Sequence, residues 1–342
     1  VVTILHLVAK EVNPITEIKQ IVARTNFLLF FFSAYIIFRL EQVEPLRILN
    51  ITKVILKLAI IYGIYQFIAN LYGLPLFLNF LRNNVSYSDR STNITYGGWI
   101  SLIRVFSIWT EPSLSALPIS VLLYIIYFHY RSKKEVYFWS LLIAVYALLT
   151  FSRVVWLTFS VLTLYRVTIN IVVRMRLWSA VTKYSALFTI ILISILSLSW
   201  IYFAPILMGD ISSYGRSSSV IVGLRIFRDN LLLGTGFNTY ELLESDYSYN
   251  LDYYYPERMV HNLFVGYGQQ MGLFGVIFGF SPIVCIFLLK SLSIEKKIFL
   301  GLIIVIIGTF AGDIYYNSFT WLLFAMIFYT NSYDNQLNSN CT

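Results

Sequence analysis

The sequence predicts an all-α fold: a polytopic integral membrane helical bundle of about nine or more spans, with one large extracytoplasmic loop containing short helices. Three observations carry this expectation. Apolar residues make up 58% of the 342-residue chain, and the mean hydropathy is +0.72. Charged residues supply only 12%, about half the share of a soluble protein and too few to coat a water-exposed surface. Uncharged runs recur along the chain; continuous runs suit helices, whereas a barrel needs alternating segments of about ten residues. Residues 1–342 therefore read as a single membrane domain.

A spanning helix needs about 20 mostly apolar residues. Residues 25–38 read TNFLLFFFSAYIIF, and residues 58–81 carry no charge. Residues 113–130 and 136–152 form the next pair, separated by the basic RSKKE. Residues 154–173 hold only Arg166. Residues 184–209 and 259–289 are uncharged, and residues 298–312 and 314–333 flank Asp313. Basic residues mark cytoplasmic loops. Arg131, Lys133 and Lys134 fill one connection, Arg174, Arg176 and Lys183 a second, and Lys290, Lys296 and Lys297 a third. Strict alternation of the runs puts all three on one side, with Arg39, Arg47 and Lys53. Residues 82–110 and 210–258 then face outward.

The 210–258 segment is the large loop expected between spans 184–209 and 259–289. It holds seven acids and four arginines, a net charge of 4 − 7 = −3, and no lysine. Within it, SSSVIVGLRIFRDN reads as an amphipathic helix with Val220, Leu224 and Phe227 at i, i+4 and i+7. It is expected to stop near Asn230, ahead of a tight turn at Gly234-Thr235-Gly236.

Several residues could carry chemistry. His261 opens the 259–289 run in MVHNLF, as a donor at the headgroup level or as a functional imidazole. Arg153 follows Ser152 at the outer end of the 136–173 hairpin. It either snorkels to headgroups or clamps phosphate with its planar fork of donors. Arg216, in YGRSSS just before the amphipathic helix, is either solvated or part of an anion site near a helix N-terminus. Glu111, ahead of Pro112, fits a helix start and also acid–base work at a site mouth. YSYNLDYYYP holds five tyrosines within residues 247–255; they suit sugar stacking and the membrane interface equally.

Other functions are disfavoured. Net charge is +8, but no basic run is interleaved with aromatics in a polar domain, so no nucleic-acid partner is expected. Cys285 and Cys341 form no CxxC. His129 and His261 fall at opposite ends of spans, and no His-x-x-x-His or Asp-x-Asp supplies further ligands, so no metal and no cofactor are expected.

Taken in order, IYGIYQFIANLYGLP, FSIWTEPSLSALP, TFSRVVWLTFSV, GRSSSVIVGLRIFRDNLLLGTGFNTY and HNLFVGYGQQMGLFG resemble the O-antigen polymerase/ligase family, often called Wzy-like, over roughly residues 60–290. Two departures stand out: Leu231 occupies a position where the family often has Pro, and nine spans is below the family's usual number. The resemblance implies a metal-independent membrane glycosyltransferase of the bacterial cytoplasmic (inner) membrane. It would move a glycan from an undecaprenyl-pyrophosphate carrier to a sugar hydroxyl on the extracytoplasmic side, extending O-antigen, capsule or exopolysaccharide repeat units. The implied catalytic set is His261 as base with Arg153 and Arg216 on the pyrophosphate. Two guanidinium groups near His261 would keep it neutral. Substrate-binding candidates are Arg225, Glu111, Tyr253, Tyr254 and Asn262. The implied partners are the lipid-linked donor and acceptor and the bilayer, with a flippase and a chain-length regulator as further ones. The three catalytic candidates are expected to converge in one pocket. One alternative is a ligase that moves finished polymer to another acceptor. A polysaccharide or lipid transporter is another, disfavoured because no duplicated halves are visible and the charges gather outside the spans.

Overall fold

The structure is a computed structural model that describes residues 32–41, 44–76, 93–96, 100–105, 107–109, 112–130, 132–174, 211–237, 239–251, 256–257, 259–289, 292–310, 325–326 and 329. The expected spans over 184–209 and 314–333 lie almost wholly outside these residues. The described elements are α1 (Pro45–Tyr72), β1 (Asn93–Tyr96), β2 (Ile100–Ile103), α2 (Ala116–His129), α3 (Lys133–Leu149), α4 (Arg153–Arg174), α5 (Ile211–Asp229), α6 (Tyr240–Tyr247), α7 (Leu263–Leu288) and α8 (Ile294–Phe310). Residues 32–40 are also helical. The fold is therefore helical, with one addition that hydropathy did not foresee: β1 and β2 pair antiparallel, Asn93 opposite Ile103 and Tyr96 opposite Ile100. Four stretches are long and apolar enough to cross a membrane by length and composition, Arg47–Tyr72, Pro112–His129, Arg153–Ile171 and Leu263–Leu288, the last of them interrupted at Gly272. Nine spans are not seen among the described residues.

The helices fall into two compact units, one within Phe38–Ser179 and the other within Ala180–Asn331. In the first, α2 is the central helix, buried from Ala116 to Tyr127, with α1, α3 and α4 packed against it. The span expected over 58–81 is shifted: α1 starts at Pro45 and stops at Tyr72. Gly73 ends it in the left-handed conformation (φ 67), and Leu74 N–H closes on Ala69 O at 2.8 Å. The lysines that broke the apolar run belong to this helix. Lys57 lies 3.9 Å from the Trp139 ring centre and 5.0 Å from that of Tyr130, and Lys53 lies 5.2 Å from Tyr130. These ammonium groups rest over aromatic rings as cation–π contacts. The opposite end is closed by the segment after β2. Arg104 Nε donates to Thr150 O at 3.3 Å, Val105 N to Leu149 O at 3.0 Å, and Ser107 N to Gln66 Oε1 at 2.9 Å.

In the second unit α7 is not one straight span. Gly272, at φ 64 and ψ −145, interrupts it. On a straight helix Phe264 and Phe280 would stand about 24 Å apart; here their rings stack at 4.3 Å. Tyr267 and Phe278 meet edge to face at 5.3 Å. The helix thus reverses, and residues 263–271 and 273–288 form two limbs of a hairpin. The uninterrupted span expected over 259–289 is corrected accordingly. Both limbs meet α8: Gly301 lies beside Phe287 and Ile283 of the second limb, and Gly308 beside Leu263 and Phe264 of the first.

The loop after α5 seals the reversal. Thr235 and Gly236 N–H donate to Gln269 O and Gln270 O, each at 2.9 Å, and Leu273 N–H donates to Leu231 O at 2.8 Å. The turn expected at Gly234-Thr235-Gly236 is present, with φ 67 at Gly234 and 97 at Gly236. A methyl group on Gly234 would collide with the 270–272 backbone, and one on Gly272 with the Leu232 carbonyl. The helix expected over 217–230 begins earlier, at Ile211. Its buried stripe is not Val220, Leu224 and Phe227. Val220, Val222 and Ile226 form a core with Tyr240, Leu243 and Val260, while Leu224 is 39% exposed. The stripe is rotated because α5 is covered by both α6 and α7.

Gly272→Ala should lower the stability by roughly 2 kcal/mol or more, since it combines a positive φ with a backbone collision. Gly301→Ala, whose new methyl would have its nearest neighbour at 3.6 Å, should be neutral. Thermal unfolding in detergent checks the pair, and equal midpoints would contradict the reversal.

Candidate functional site

The site is built on the start of α5. Gly215, Arg216 and Ser219 occupy its first turns; Arg216 is thus inside the helix, not ahead of it as expected. Ser219 joins two of the sequence candidates. Its hydroxyl donates to Arg216 O at 2.8 Å and accepts the His261 backbone N–H at 3.2 Å. The Arg216 side chain reaches toward the C-terminal end of α8, with Nη1 3.5 Å from Phe310 O. That end is about 20 Å along the helix from Lys296 and Lys297, which lie near the start of α8. Lys297 Nζ donates to Phe287 O at 2.9 Å, near the end of the second limb of α7.

The partner of His261 is a residue that motif reading missed. Glu257 Oε2 lies 3.2 Å from His261 Nε2, and both side chains are about three-quarters covered, with 24% and 26% exposed. The environment expected from cations alone is therefore corrected: a carboxylate faces the ring. Glu257 is itself held, since its N–H donates to Glu244 Oε1 at 2.8 Å, and Glu244 is buried. The signal in the sequence was an acid four residues before His261. Nothing in the sequence sets it apart from the other six acids of the 210–258 loop.

Two substrate-binding candidates have structural duties. Asn262 is the N-cap of α7, its Oδ1 accepting the Val265 N–H at 3.0 Å. Arg225 Nη1 donates to Tyr247 O at 2.8 Å and Tyr249 O at 2.6 Å, and its guanidinium lies 4.4 Å from the Tyr249 ring centre. It binds carbonyls at the end of α6, where a cation also meets the negative end of the helix dipole. Burial and the nearby Asp229 carboxylate push the Tyr247 phenol above its usual range, so it stays a neutral hydroxyl. Glu111, Tyr253 and Tyr254 lie outside the described residues.

Arg153 belongs to the other unit. It is the first residue of α4, after a turn in which Phe151 takes φ 46. Thr150 Oγ1 and Trp156 Nε1 both donate to Ala147 O at 2.7 Å and hold this turn shut. A guanidinium at a helix N-terminus opposes the dipole unless an anion joins it. The 17 residues of α3 put this end about 25 Å from Lys133. Among the described residues no group of His, Cys, Asp and Glu is arranged to hold a metal ion.

Residues 138–280 match the model of a protein family described as O-antigen ligase. Arg153, Arg216, Glu257 and His261 all fall within that stretch. The resemblance read from the ordered motifs is thus supported by an independent match. No curated protein and no solved structure matches the chain.

If Asn262 acts through its cap, Asn262→Ala costs about 1 kcal/mol and Asn262→Asp retains most stability. Unfolding midpoints measured beside turnover check this. A normal midpoint with lost turnover would assign Asn262 to substrate instead.

Proposed function

We propose that the chain is a membrane glycosyltransferase of the O-antigen polymerase/ligase type, and that it polymerises surface polysaccharide from undecaprenyl-pyrophosphate-linked repeat units. The observation that supports this reading is the Ser219 bridge, which ties the Arg216 backbone carbonyl to the His261 backbone N–H inside the family-matched stretch. In the reaction, the acceptor hydroxyl oxygen forms a bond to the anomeric carbon of the donor. The bond from that carbon to the pyrophosphate oxygen breaks, and its electron pair leaves with the lipid pyrophosphate. The hydroxyl proton passes to His261, which returns it to solvent. Arg216 stabilises the charge growing on the leaving group. Arg153 is proposed for the same role, as a guanidinium carried by the first residue of a helix. No metal is assigned a part.

In each unit the candidate cation stands a 17-residue helix away from the lysine-bearing end. With lysines facing the cytoplasm, this favours chemistry at the extracytoplasmic face of the inner membrane. A flippase delivering the carrier to that face and a chain-length regulator fit the reading as partners. The description of the matched family favours a second reading, a ligase that moves polymer to a different acceptor.

Purified protein incubated with synthetic carrier-linked repeat units tests both. A ladder of chain lengths supports polymerisation, and a single transfer to another lipid supports the ligase. His261→Ala should lower the rate by roughly 10²–10⁴. Arg153→Lys and Arg216→Lys should each lose about 10²-fold, since an ammonium lacks the bidentate fork. Full activity of His261→Ala in folded protein would remove the imidazole from the mechanism.

A further inference from the structure

We infer that Glu257 is the positioning residue of the site: it holds the proton of His261 on Nε2 and leaves Nδ1 as the atom that takes the acceptor proton. This rests on the proposed role of His261 as base.

The geometry is specific. A carboxylate only accepts hydrogen bonds, so Glu257 Oε2, 3.2 Å from Nε2, selects the tautomer with hydrogen on that nitrogen. Neither partner can drift. The Glu257 backbone is tied to the buried Glu244 carboxylate on α6, and the His261 backbone to Ser219 on α5. The ring also stands directly before the Asn262 cap, which starts α7 in a set direction. Three elements therefore converge to hold one acid against one imidazole, more than a solvated loop pair needs.

The room for the carboxylate comes from Gly215. Its φ is not positive, so no turn requires a glycine there, and a glycine inside a helix costs about 1 kcal/mol relative to alanine. A methyl group at that position would collide with Glu257 Oε1. The glycine next to Arg216 is thus explained by the space that Glu257 occupies.

The test compares Glu257→Gln, Glu257→Asp and Gly215→Ala in full-length protein, with His261→Ala beside them. Glu257→Gln offers an amide N–H to Nε2 and reverses the tautomer. It should lower kcat by 10-fold or more, roughly, with KM nearly unchanged, as expected when an orienting carboxylate becomes an amide. Glu257→Asp should recover part of that loss. Gly215→Ala should lower kcat although both Glu257 and His261 remain, and Gly215→Ala combined with Glu257→Gln should be no worse than Glu257→Gln alone. Imidazole ¹⁵N NMR in nanodiscs, with the His261 signals assigned by their absence in His261→Ala, reads the tautomer without substrate. It should show Nε2–H in the wild type and a changed pattern in Glu257→Gln. Unchanged turnover and an unchanged imidazole pattern in folded Glu257→Gln overturn the inference. Full transfer by His261→Ala instead overturns the proposed function, and the role of Glu257 with it. Loss in His261→Ala with full activity in Glu257→Gln overturns the positioning role alone.

Discussion

The break at Gly272 exposes backbone groups in the most apolar helix of the described chain, and their satisfaction organises the second unit. An unpaired carbonyl or amide in a dry interior costs about 1–3 kcal/mol each, more than a formed hydrogen bond returns. The 231–236 loop supplies three backbone partners in register: Thr235 and Gly236 as donors and Leu231 as acceptor. Side chains complete the seal. Gln269 Nε2 donates to Thr235 Oγ1 at 2.5 Å and to Thr239 Oγ1 at 3.1 Å. The Thr239 hydroxyl donates in turn to Gly236 O at 3.0 Å. Because the loop joins α5 to α6, locking it to α7 places all three helices at once. Gly215 and Ser219 then meet Glu257 and His261 as a consequence.

Charge in this molecule is used by position. The lysines of α1 lie over the rings of Tyr130 and Trp139. Arg225 donates from one nitrogen, Nη1, to two carbonyls at the end of α6 while its guanidinium lies over the Tyr249 ring. The exposed Arg228–Asp229 pair, at 2.9 Å, is of the kind that adds little to stability. Arg216 differs from both. Its guanidinium reaches toward Phe310 O, and its backbone carbonyl is linked through Ser219 to the backbone of His261. A cation, a carboxylate and an imidazole on neighbouring backbones suit a reaction that moves a proton one way and negative charge the other.

The apolar runs of the sequence determined that the chain is helical and of membrane type, because composition and run length decide burial in lipid before any packing is known. They also determined a helix ending near Asn230 and a glycine turn after it, since both depend on local backbone chemistry. The ordered motifs singled out Arg216 and His261, whose backbones the fold links through Ser219. Tertiary structure decided the rest. Hydropathy measures how apolar a run is and not its direction, so the reversal inside 259–289 was invisible. Lysines with long stems can belong to a helix whose core is apolar, so the start of α1 was misplaced. The cap made by Asn262 and the carbonyl contacts of Arg225 exist only once a neighbouring backbone arrives. Glu257 was one acid among several until α5 and α6 closed around it. A residue's chemistry is written in its side chain, but the partner it meets is set by which elements pack together.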